Sequence, residues 1–425
     1  MWTTSTSEPT DDPLKLLWPV GVSCLLLVLS ACQAGGGETR REPESDSFRS
    51  CELSVSAEDW ERLHVDVNRD VEVDATFRLD GAEAPIELEL QGSSTLVYPK
   101  RSLKLKFNQG QRLFADVFLD GGDPEGFGRL ILKAMYKDQS MIREALSFEI
   151  ARHMGLIAPR VGWCELHLNG AYHGLFALVE PIDEEYLARR GFSSGGSVYK
   201  AVAQKADFEP TMRIEEAFEK KEGDRREWSD LHDLVRRLQD TPATEAAFLR
   251  TIDGDFSLES YFDRMTWVSI TQNLDAVRQN FYLYAEPVRE GTQWHVLMWD
   301  ADISFSNHWD VAIPSFDVAW RHMLHGGNHF SRRLVSIDSQ RSLFVDQFED
   351  RLKEELSTEA LLPIAEAMFA PLSEAIDRDL VHWRRSSSAA EEWSEIQGFL
   401  EERPGLMMGF LQAFRTDPEL EDAPY

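Results

Sequence analysis

The sequence predicts an α+β fold in two lobes, a strand-rich first lobe holding one long helix and a helix-rich second lobe. Three observations carry this. Residues 51 to 136 alternate apolar with polar; DQSMIREALSFEIARHMG then switches to helical spacing; and from about residue 340 the chain reads mostly as helix. With 425 residues, 43% of them hydrophobic, the chain can bury one large core or two medium ones.

In the first lobe LHVDV, VDATFRL, IELELQG and RSLKLKF are expected as strands of an antiparallel sheet with one wet face, separated by Asp, Gly and Pro turns. Met141, Ile142, Leu146, Ile150 and Met154 then mark a helix of about five turns, stopped by Gly155. The sheet resumes as VGWCELHL and AYHGLFALVE, joined through Asn169-Gly170, a strong hairpin signal. Residues 51–180 are therefore expected as the first lobe and 181–425 as the second. In the second, PIDEEYLARRG reads as helix, GSVYKA as a short strand, residues 225 to 240 as an amphipathic helix and SLESYFDRMTWVSITQN as a more apolar one.

The first 31 residues read as a signal peptide, because Leu16 to Leu29 is apolar but too short for a comfortable membrane span. It ends in Leu29-Ser30-Ala31-Cys32, which resembles the lipobox of bacterial lipoproteins; that resemblance implies lipidation of Cys32 and attachment to an envelope membrane. Residues 32–50, rich in Gly, Glu, Arg, Pro and Ser, are expected as a flexible tether. Cys51 and Cys164 remain in the folded part, where an oxidising compartment would allow them to pair.

With 74 acidic against 44 basic residues the formal net charge is −30, which argues against a nucleic-acid partner. Such a surface keeps an exported protein soluble and would attract a basic partner. No CxxC pair and no HExxH occurs, so zinc has no support. His153, His167 and His173 lack ligand spacing and read as surface or packing residues.

A sheet with one helix followed by a helical lobe is the order a phosphoryl-transfer enzyme of the protein-kinase type requires, and NLDAVRQN gains weight from it. Asp275 stands five residues ahead of Asn280, the spacing at which an aspartate handles the substrate hydroxyl proton and an asparagine holds a metal ion. NFYLYAE, a turn and WHVLMWDAD then form a hairpin that delivers Asp300 and Asp302 to the same place. Oxygen ligands of this kind suit Mg²⁺ or Mn²⁺. The basic pair that normally precedes such an aspartate is absent, with Leu274 directly before it.

The series KRSLKLKF, DQSMIREALSFEIARHMGLIAPR, ELHLNGAYHGLFALVEPID, GSVYKA, NLDAVRQNFYLYAE and WHVLMWDADISF resembles the CotH-type kinases, named for spore coat protein H, over roughly residues 52 to 415. The resemblance implies an atypical protein-kinase-like fold that transfers the γ-phosphoryl group of ATP to serine on a protein substrate. It makes Asp275 the catalytic aspartate, Asn280 a metal ligand, and Asp300 the counterpart of the Asp-Phe-Gly aspartate, with Asp302 second.

On the nucleotide side, Lys104 is the first choice of phosphate-binding lysine and Lys100 the second; a solvated basic edge strand is the equal alternative. Glu149 and Glu144 both qualify as the lysine's partner, Glu149 sitting deeper in the helix. Glu180 falls at the expected hinge beside adenine, and Lys200 is a further candidate for nucleotide contact. A surface adhesion or scaffold protein on the same fold is the competing reading, against which the retained Asp275, Asn280 and Asp300 weigh.

Overall fold

The computed structural model describes residues 49–65, 71–108, 110–119, 121–240, 245–288, 291–307, 318–319, 322–325 and 327–417. The signal peptide, Cys32 and nearly all of the tether lie outside the described residues. Ser47–Tyr425 forms one compact unit. Among the described residues no helix is long and apolar enough to cross a membrane.

The chain begins with β1 (Ser50–Val55), α1 (Ala57–Val65), β2 (Glu72–Leu79), β3 (Ala82–Gln91), β4 (Ser102–Phe107) and β5 (Arg129–Lys133). The helix α2 (Arg143–His153) and the hairpin β6 (Val161–Leu168) and β7 (Ala171–Val179) follow. The sheet expected with one wet face is a closed one: in the order β1-β2-β3-β4-β5-β7-β6 the seven strands form a barrel. Closure runs through one parallel pairing, in which Ser50, Cys51, Glu52 and Leu53 of β1 lie opposite Glu165, Leu166, His167 and Leu168 of β6. Alternation explains it, since Leu53, Phe77, Ile86, Leu105, Leu132 and Leu178 form one buried interior cluster and a closed ring leaves no edge to protect. Cys51 and Cys164 form a disulfide beside that seam, with Cα atoms 5.9 Å apart.

Two local expectations change. Leu63, His64 and Val65 of LHVDV end a helix instead of forming a strand, because Ser56 caps it through the Asp59 N–H at 3.0 Å and Trp60 and Leu63 share its inner side at a three-residue spacing. The long helix is shorter than five turns. Asp138 accepts the Arg143 N–H at 2.9 Å, and Met141 adopts a left-handed φ of 63°, so α2 starts only at Arg143.

The second half contains α3 (Glu184–Arg189), β8 (Ser197–Ala201), α4 (Ile214–Ala217), β9 (Phe218–Glu222), α5 (Ser229–Asp240), α6 (Glu245–Asp255) and α7 (Leu258–Thr271). After these come β10 (Phe281–Val288), β11 (Gly291–Met298), α8 (His329–Val335), α9 (Asp338–Lys353), α10 (Thr358–Phe369), α11 (Ser373–His382) and α12 (Ala389–Thr416). A second antiparallel sheet has the order β11-β10-β8-β9. Its apolar residues, those of α2 and α7, and the outward Ile131, Trp163 and Val179 of the barrel make a second continuous core.

A buried ion pair fastens α11 to the barrel. Lys100 Nζ donates to Asp379 Oδ1 at 2.7 Å and to the Leu175 carbonyl at 2.5 Å, and Asp379 also accepts the Leu175 N–H at 2.8 Å. Only glycine fits at 174: its φ is +130°, and a Cβ there would stand 2.5 Å from Asp379 Oδ1.

Candidate active site

The β5 alternation that turns Leu130 and Leu132 into the barrel leaves Lys133 on the outside, toward α2. Its Nζ donates to Glu144 Oε1 at 2.6 Å and to Asp300 Oδ1 at 2.5 Å, 5.4 Å from the centroid of the Trp299 ring. One lysine thus ties together the barrel, the first turn of α2 and the end of the β10–β11 hairpin. Burial alone would lower its pKa, but Asp300, Glu144 and Asp302 outweigh that and raise it, so the ammonium stays charged. Burial raises Glu144 to about 7; Lys133 opposes the shift and the like charge of Asp300 adds to it.

Arg143, next to Glu144, fixes this turn of α2. It is buried and pairs with Asp138 at 3.0 Å, Glu392 at 2.8 Å and Glu395 at 2.9 Å, the last two on α12. From the other side Trp267 Nε1 donates to the Ser147 carbonyl at 2.7 Å, and the Ser147 and Ser304 hydroxyls lie 3.0 Å apart.

The catalytic-loop candidates come together against this group. Asp275 lies in a single 3-10 turn (Leu274–Ala276) that Asn273 caps by accepting the Ala276 N–H. Asn280 Nδ2 donates to Asp275 Oδ2 at 3.3 Å and to the Asp300 carbonyl at 3.5 Å, while its backbone N–H reaches the Ala201 carbonyl at 3.3 Å. Asn280 and Asp300 both hold left-handed backbone, with φ of 55° and 54°. Asn and Asp tolerate that conformation best among residues with a Cβ, and functional sites are where such strain collects. Asp275 is raised to about 6, by burial first and Asp300 second, against the hydrogen bonds of the Gln279 and Gln204 side chains. Asp300 is held below the ordinary carboxylate range, because Lys133 and then Lys200 overcome its burial. Asp302 is pushed well above that range by burial and by Asp300.

Crowded, desolvated carboxylates that raise one another's pKa are what a divalent cation would relieve, and the donors are hard oxygens. The Asn280 amide spends its nitrogen on Asp275 and Asp300, which leaves its oxygen to offer a cation. Among the described residues no three His, Cys, Asp or Glu side chains could hold a metal by themselves. The fit is therefore to an ion shared among Asn280, Asp300, Asp302 and a ligand's own oxygens.

The other predicted residues lie elsewhere. Lys104 pairs with Glu89 at 2.6 Å on the outer face of the barrel, and Lys100 is committed to Asp379. Glu149 turns to Arg152 on its own helix. Glu180 is buried under Arg190, Arg189 and Arg160 at 2.8, 3.1 and 3.2 Å, so it serves as a charged knot. Lys200 is near the site, its pKa lowered by burial and countered by Asp300. The lysine–glutamate pair expected between Lys104 and either Glu149 or Glu144 is formed by Lys133 with Glu144, the second of those two glutamates. The signal for Lys133 was its place at the end of LILK, the apolar strand just before the helix.

The model of the CotH kinase protein family matches residues 88–407. The chain belongs to the CotH kinase family. The inner spore coat protein H of Bacillus subtilis (strain 168), a curated relative, is 24% identical over 327 residues, covering 75% of this chain and 85% of that protein. Lys133, Glu144, Asp275, Asn280, Asp300 and Asp302 all lie inside the stretch that matches the CotH kinase model. Solved structures resemble it only distantly. The Helicobacter pylori proinflammatory kinase CtkA is 10% identical, with 75% of this chain and 95% of that one covered and a TM-score of 0.29. A chain of the Shewanella oneidensis MR-1 HipA–HipB toxin–antitoxin complex with operator DNA is 13% identical, with 89% and 76% covered and a TM-score of 0.34. A Golgi casein kinase with Mn/ADP bound is 9% identical, with 87% and 74% covered and a TM-score of 0.29. At such scores they do not define the fold of this CotH kinase chain.

Proposed function

We propose that this chain is a protein kinase of atypical kinase-like fold that transfers the γ-phosphoryl group of ATP to a serine hydroxyl of a protein. The observation that carries the reading is Lys133 bridging Glu144 and Asp300 beside the Asp275–Asn280 pair. Lys133 supplies fixed positive charge for phosphate oxygens, and Glu144 holds it in place. Asp275 accepts the serine proton as the hydroxyl oxygen bonds to the γ-phosphorus; the bond to the β-phosphate oxygen breaks and ADP leaves. Asn280, Asp300 and Asp302 would hold Mg²⁺ or Mn²⁺, which when bound neutralises charge on the transferred group. Lys200, which interacts with Asp300, would add a second positive charge toward the phosphates.

Export and lipid attachment at Cys32 complete the proposal. The Cys51–Cys164 disulfide supports an oxidising compartment, and the Bacillus subtilis relative is an inner spore coat protein. With a net charge of −30, a basic, serine-rich protein is the substrate class that fits best.

Residues 47–425, incubated with labelled ATP and Mg²⁺ or Mn²⁺, are expected to label themselves or such a protein, and Asp275→Ala is expected to abolish labelling. Absence of both ATP binding and transfer across a range of metals would refute the kinase reading.

A further inference from the structure

Asp275 lacks the basic neighbour usual in such a loop, yet both of its carboxylate oxygens have a donor. Asn280 Nδ2 reaches Oδ2 at 3.3 Å, and Gln204 Nε2, seventy-one residues earlier in the chain, reaches Oδ1 at 3.0 Å. Two anchored oxygens fix the plane of a carboxylate, where one would leave it free to swing. The Gln204 backbone is itself held from behind: its N–H donates to Gln279 Oε1 at 3.0 Å. On either side of it the Ala206 N–H donates to the Arg278 carbonyl at 3.0 Å, and the Ala201 carbonyl accepts the Asn280 N–H.

The turn that presents Gln204 is strained. Ala203 and Gln204 are consecutive non-glycine residues with left-handed φ of 57° and 56°, a conformation that residues with a Cβ adopt only at an energetic cost. Neither residue would choose it locally. The turn is bought by the contacts it makes with residues 275 to 280.

We propose that Gln204 is a positioning residue for Asp275, substituting through space for the basic side chain that Leu274 does not provide. The inference rests on the kinase reading above. It assigns Gln204 no contact with nucleotide or metal; it orients the Asp275 carboxylate toward the substrate hydroxyl, and the strained turn carries the amide to that position.

Gln204→Ala and the near-isosteric Gln204→Glu, made in residues 47–425, separate this role from a merely structural one. Both are expected to lower kcat by roughly 10- to 100-fold, as a misplaced catalytic group does, with KM for ATP, equilibrium binding of Mn²⁺–ADP and melting temperature unchanged. A crystal structure of metal-free Gln204→Ala is expected to show the Asp275 carboxylate rotated from its wild-type position. The proposal is overturned if kcat stays within twofold of wild type, or if its loss is matched by lost nucleotide affinity or lost stability. In those cases wild-type transfer keeps the kinase reading intact. If wild type binds and transfers nothing, the kinase reading falls and this role falls with it.

Discussion

Lys133 and Asp300, 167 residues apart in sequence, meet with Nζ 2.5 Å from Oδ1. The same Nζ holds Glu144, so a single ammonium joins the barrel, α2 and the end of the β10–β11 hairpin.

Lys133→Met is accordingly expected to reduce phosphoryl transfer by about 100-fold or more, the scale on which removal of a preorganised charge acts. Lys104→Met, which breaks only the Glu89 pair on the barrel's outer face, is expected to leave transfer within twofold. Steady-state rates of the two variants side by side check the assignment. Equal losses would return the phosphate-binding role to β4.

Asp379→Ala strands the buried Lys100 ammonium, whose pKa burial already lowers against the pull of Asp379. It also removes the acceptor for the Leu175 N–H. Uncompensated burial of one partner costs about 3–5 kcal/mol, to be read from urea denaturation. Lys100→Met combined with Asp379→Leu is expected to recover much of that loss, since it removes the charge together with its partner.

His173 gives an acid-side prediction. Its ring packs against Phe176, Trp60 and Trp383. Burial, then the like charges of Lys100, His382 and His64, lowers its pKa from 6.5 to about 4. The unfolded chain binds a proton there at higher pH than the folded one. Its contribution to stability is therefore full above pH 6.5 and lost as pH falls toward 4, by about 3 kcal/mol in total. His173→Phe is expected to reduce the fall in unfolding free energy between pH 7 and pH 4.5. An unchanged fall would show that other groups carry it.

What could be read from sequence was what is local. The convergence of Asp275, Asn280 and Asp300 was legible because five residues and one hairpin connect them. The strand IELELQG and the hairpin at Asn169-Gly170 were legible from alternation and turn chemistry. Lys133 was not, because its meaning lies in partners 11 and 167 residues away and KRSLKLKF offered more conspicuous lysines. Gln204 had no sequence signal, since nothing in AVAQKADF shows that a strained turn reaches Asp275. LHVDV was misread because five residues fit either periodicity, and the Ser56 cap that decides it lies outside the segment. Barrel closure escaped for the same reason as Lys133: its parallel seam joins strands that only tertiary structure makes neighbours.

That seam also sets an order of events for the folding chain. β1 pairs locally with β2, but its other neighbour is β6, and the disulfide beside the seam links residues 113 positions apart. Pairings of such long range are slow, because loop-closure entropy is spent before any contact is gained. Strands β2 to β5 can add one to the next as they emerge, whereas the ring cannot close until the β6–β7 hairpin exists. Since Lys133 ends β5 and β5 pairs with β7, the lysine cannot reach its final setting before that late step. On the kinase reading, catalytic competence would then wait for barrel closure as well as for the later residues Asp275, Asn280 and Asp300 that complete the site.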